Sequence, residues 1–91
     1  MTTVRGTFEV RNKLDLHARA ATKLVQLATK YPCDIQISRA GQSANAKSVM
    51  GVLLLCGSKG TKLDVEASGQ QAEEAVQSLG DLIHNRFGEE E

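Results

Sequence analysis

The hydrophobic period of this chain switches repeatedly between two and about 3.6, and that alternation limits the folds open to it. Val4, Phe8 and Val10 alternate with Arg5, Glu9 and Arg11, with Gly6 on the apolar phase, so residues 3–10 read as a half-buried strand. From Ala18 to Lys30 the spacing changes. Ala21, Leu24, Val25 and Ala28 fall at i, i+3, i+4 and i+7, one face of a helix. Tyr31-Pro32 ends it, because the residue before a proline is pushed out of the α region. Ile35 and Ile37 alternate with Asp34, Gln36 and Ser38 as a second strand, and Arg39-Ala40-Gly41-Gln42 turns into a short third strand reaching Asn45. Ser48 to Cys56 reads as a short helix with a serine N-cap, ended by the glycines of Gly57-Ser58-Lys59-Gly60. Leu63, Val65 and Ala67 alternate with Lys62, Asp64 and Glu66 as a fourth strand. Ala72, Ala75, Val76, Leu79 and Ile83 then stripe a long last helix that stops near Gly88.

The order is βαββαβα. Strands with one polar face need helices on only one side, which predicts an antiparallel sheet in a two-layer α+β fold. With 91 residues there is room for one small core, so residues 1–88 read as a single domain and Glu89–Glu91 as an acidic tail. Eleven basic side chains balance eleven acidic ones, and the aromatics are one Tyr and two Phe with no Trp. A nucleic-acid binder usually shows a basic excess and stacking aromatics, so that class is disfavoured. The longest apolar run, Val52 to Leu55 before Cys56, falls far short of the ~20 residues of a membrane span. The alternating opening MTTVRGTFEV has no signal-peptide layout, and Cys33 and Cys56 have no CxxC spacing. The expectation is a cytoplasmic protein with two reduced thiols, and a binding or carrier module before an enzyme.

His17 is the most informative polar residue. It stands at the start of the first predicted helix, where unpaired N–H groups and the dipole disfavour imidazolium but favour an anion attached to the ring. A neutral imidazole is a competent nucleophile, and phosphate is the anion that such a position accepts best. Arg19 adds a fork of donors suited to phosphate oxygens. The simpler alternative is a surface histidine. Ser48 reads first as an N-cap, although a phosphoryl group there would also meet a helix N-terminus.

The helix that Ser48 opens is too apolar for one narrow stripe. If Val52 and Leu55 face the sheet, Met50 and Leu53, with Val49 or Leu54, turn outward. Such a patch marks a partner surface, unless a wider face is buried under a loop. No metal-ligand spacing joins His17, His84, Cys33 and Cys56, and His84 reads as solvated. No cofactor is implied. The neutral total is also uneven: residues 1–30 hold six basic and two acidic side chains, residues 61–91 two and eight. The basic segment contains His17 and suits acidic partners.

Taken together, Asp15-Leu16-His17-Ala18-Arg19-Ala20-Ala21 and Asn45-Ala46-Lys47-Ser48-Val49-Met50-Gly51-Val52 resemble the two phosphorylation motifs of the histidine-containing phosphocarrier family, HPr, of the bacterial phosphoenolpyruvate-dependent phosphotransferase system. The resemblance covers essentially the whole chain. It implies an open-faced β-sandwich, four antiparallel strands with three helices on one face. It also implies a carrier rather than a turnover enzyme. His17 would accept phosphate through Nδ1 from phosphorylated Enzyme I and pass it to a IIA protein or domain, with Arg19 holding the phosphoryl group. Ser48 would be the regulatory site for an HPr kinase. Leu16, Ala20, Val49, Met50, Leu53 and Leu54 would dock partners, and nothing demands more than a monomer. The lead-in Asn12-Lys13-Leu14 and the acidic C-terminus are also similar to nitrogen-type phosphocarriers.

Two positions depart from the family pattern: Asp15 stands where Gly is common, and Ala20 where Pro is frequent. Asp tolerates a left-handed backbone better than most residues, yet its charge would favour imidazolium or repel incoming phosphate. Ala20 favours the helix. Two other readings use the same residues. One is a regulatory binding module of the same fold acting through Ser48 and the apolar patch. The other is a small α+β adaptor with no phosphate chemistry.

Overall fold

The computed structural model describes residues 3–10, 18–55 and 61–85. The elements are β1 (Thr3–Glu9), α1 (Ala18–Ala28), β2 (Asp34–Arg39), β3 (Gln42–Asn45), α2 (Val49–Leu54), β4 (Lys62–Ser68) and α3 (Ala72–His84). They follow the expected order. The four strands form one antiparallel sheet in the order β1-β4-β2-β3.

The register explains why one face is wet and the other dry. Val4 sits beside Ala67 and Ala67 beside Ile35; Gly6 sits beside Val65 and Val65 beside Ile37. These rows face the helices, and Ile35, Ile37, Leu63, Val65 and Ala67 are buried there. The alternate rows are polar and partner one another. Arg5 Nε lies 2.7 Å from Glu66, and the Thr7 hydroxyl donates to Asp64 at 2.6 Å. A face that satisfies its own polar groups needs no second layer of helices.

α1 buries Ala21, Leu24, Val25 and Ala28, the expected stripe. Each fully buried Leu or Val contributes about 1.5–3 kcal/mol from the area it removes from water. The helix ends by tightening, since Lys30 N–H bonds to Leu27 C=O and Tyr31 N–H to Ala28 C=O, before Pro32. α3 lays Ala72, Ala75, Val76, Leu79 and Ile83 against the sheet. α1 packs on α2 and α3.

The β2–β3 turn is made by Ala40 at φ 50° and Gly41 at φ 86°, the two positive φ values of a two-residue hairpin loop. α2 ends earlier than its sequence pattern predicts. Leu55 is already the C-cap, its N–H shared by the carbonyls of Leu53 and Val52, so the helix closes on a tightened turn before any glycine. Cys33 is a buried free thiol. Cys56, the Gly57–Gly60 segment, the stop near Gly88 and the acidic tail lie outside the described residues.

Candidate functional site

α2 divides its side chains between the core and the surface. Val52 and Leu55 are fully buried at i and i+3, while Met50 and Leu54, at i and i+4, are 72% and 80% exposed. Val49 and Leu53 are half-buried and pack on the rim of the core. Among the described residues, Met50 and Leu54 are the exposed large hydrophobics.

Ser48 starts this helix. Its backbone is extended, at φ −116° and ψ 114°, and its Oγ accepts the Gly51 N–H at 3.2 Å. The segment before it is pinned residue by residue. Ala46 N–H bonds to Ile35 C=O and Ser48 N–H to Asn45 C=O, and the Asn45 side chain accepts the Lys47 N–H at 2.9 Å. Gly51 is where the helix approaches β3: a Cβ there would stand 3.0 Å from the Ala44 Cβ. Between β3 and α2 runs an open groove lined by Gln42, Ser43, Asn45, Ser48 and Leu54, a feature that no motif signalled.

Arg19 is exposed in the first described turn of α1. Ala20 corrects an expectation. It is 1% exposed and belongs to the core, because it stands four residues before Leu24 on the buried face of α1. It is not a docking residue. Leu16, His17 and Asp15 lie outside the described residues. His84 is exposed at the end of α3, as expected. Among the described residues no group of three or more His, Cys, Asp or Glu side chains is placed to hold a metal ion, and no helix is long and apolar enough to cross a membrane.

The family profile described as the PTS HPr component phosphorylation site matches residues 4–85. The chain belongs to the HPr family. The phosphocarrier protein HPr of Xylella fastidiosa is 47% identical over 81 residues, covering 89% of this chain and 91% of that one. The phosphocarrier protein NPr of Escherichia coli is 38% identical over 89 residues, covering 97% and 99%. The crystal structure of HPr-C-His from Thermoanaerobacter tengcongensis superimposes with a TM-score of 0.88 at 42% identity, covering all of both chains.

HPr proteins are phosphocarriers of the phosphotransferase system, not turnover enzymes, and this chain has that function. Its four antiparallel strands and three helices are the HPr open-faced sandwich.

Proposed function

We propose that the chain accepts a phosphoryl group on His17 from phosphorylated Enzyme I and passes it to a IIA protein or domain, in sugar uptake or its regulation. The observation that supports this reading is the exposed Met50–Leu54 face on a helix that packs against α1. α1 is described from Ala18, the residue directly after His17 in sequence. A neutral imidazole there is the nucleophile, and the helix N-terminus and Arg19 stabilise the charge that the phosphoryl group brings.

Leu16, Val49, Met50, Leu53 and Leu54 form the surface that meets partners. Ser48 is the regulatory phosphorylation site of an HPr kinase/phosphorylase; its position at a helix start favours a dianion. Residues 1–88 act as one HPr domain with an acidic tail at 89–91, monomeric and cytoplasmic.

The test is incubation with Enzyme I and labelled phosphoenolpyruvate, followed by mapping of the acid-labile label. Label on His17, absent from His17→Ala, is expected. An unlabelled chain beside a labelled control HPr overturns the reading.

A further inference from the structure

Six residues do not hold a helix unaided, since isolated helices shorter than about 12–15 residues are marginal in water. The direction in which α2 points its Met50–Leu54 face therefore depends on what fixes its ends. Helix C-termini carry unpaired carbonyls and partial negative charge, which Lys and Arg complement. Neither α1 nor α2 has a basic residue in its own last turn.

The C-cap of α2 receives one from β2, and the turn that follows α1 receives another. Lys47, directly before the Ser48 cap, donates from Nζ to the Tyr31 carbonyl at 2.8 Å. Tyr31 closes the final turn after α1 through its own N–H. Arg39, the last residue of β2, donates from its guanidinium to the carbonyl of Leu55 at 3.2 Å, and Leu55 is the C-cap of α2. Both basic side chains are half-buried. The start of α2 is thus tied to the end of α1, and its end to the sheet.

We propose that Lys47 and Arg39 are positioning residues for partner docking, setting the Met50–Leu54 face relative to α1 without touching the partner themselves. This rests on the reading above that the α2 face docks Enzyme I. Burial of Val52 and Leu55, with Val49 and Leu53 packed on the rim of the core, holds the helix down, but these non-directional contacts leave small rotations and slides open. Directional hydrogen bonds at both ends close those two freedoms.

The test compares Lys47→Met, Lys47→Arg, Arg39→Met and Arg39→Lys with the unaltered chain. Amide chemical shifts of Val49–Leu55 are read in the free protein, then KM and kcat for phosphoryl transfer from Enzyme I, with KM measured at several salt concentrations. Each Met variant should move the α2 shifts and raise KM about fivefold, equivalent to about 1 kcal/mol, with little change in kcat. The Lys47→Arg and Arg39→Lys variants should restore both. Where a Met variant does not fold, the Gln variant replaces it.

Unmoved α2 shifts overturn the proposal, as does an unchanged KM. A raised KM with a flattened salt dependence also overturns it, because that marks a charge meeting the partner directly. Met50→Glu separates the two layers of the argument. If Met50→Glu raises KM and the Lys47 and Arg39 variants do not, positioning fails alone. If Met50→Glu leaves KM unchanged, the docking reading fails and the positioning role falls with it.

Discussion

The ring of Phe8 fills the space that a side chain on Gly80 would need. A Cβ built on Gly80 would clash with the edge of the ring, and one built on Gly6 would lie 2.7 Å from it, so an aromatic on the edge strand β1 is seated on two glycines. Gly80→Ala should cost roughly 1–3 kcal/mol, because the ring or α3 must shift to admit the methyl group. Chemical denaturation measures this. A stability equal to the parent would show that the ring moves aside freely.

Ser48→Ala removes the acceptor of the Gly51 N–H and should lower stability by about 1 kcal/mol. Ser48→Asp keeps an acceptor at the cap and should lose less. Thermal unfolding of the two variants side by side checks the order; equal losses would mean that the cap contributes little.

Met50→Glu and Val52→Ala, two positions apart on α2, should behave oppositely. Met50 is exposed, so its replacement should change stability by less than about 0.5 kcal/mol while weakening Enzyme I binding. Val52 is fully buried, so truncation should cost about 2 kcal/mol. Calorimetric binding beside denaturant melts reads both quantities. A large loss of stability with unchanged affinity for Met50→Glu would make that face structural.

Ala40→Gly should stabilise the chain by roughly 0.5–1 kcal/mol, since Ala40 holds φ 50°, where a Cβ is penalised and glycine is not. A shift in the denaturation midpoint is the readout. A lower midpoint would mean that the added freedom of the unfolded chain outweighs the relief.

The elements were legible because their apolar residues obey one period at a time. Ile35 and Ile37, or Ala21 and Leu24, allow a single assignment of face. α2 was legible in its apolar excess but not in its full division or its length: Leu53, expected outward, packs half-buried on the core, Leu54 is the exposed partner of Met50, and Leu55 already closes the helix. Ala20 was misread because the family pattern drew it toward the surface, whereas its own spacing to Leu24 places it inside. The bonds from Lys47 to Tyr31 and from Arg39 to Leu55 left no trace in the sequence, since each joins residues that only the packed fold brings together. The same holds for Phe8 against Gly80.

The strand order carries a consequence for synthesis. β4 pairs with β1 on one side and with β2 on the other, so the last strand to be made is an inner strand of the sheet. A nascent chain that has emerged only through α2 has the β2–β3 hairpin, while β1 still waits for its neighbour. Such non-local pairings form late. The β2–β3 hairpin and α2 are therefore translated before the strand that joins β1 to β2. A ribosome-bound or truncated chain lacking β4 has β1 and the β2–β3 hairpin without the inner strand that joins them, so the four-stranded sheet is complete only once β4 has been made.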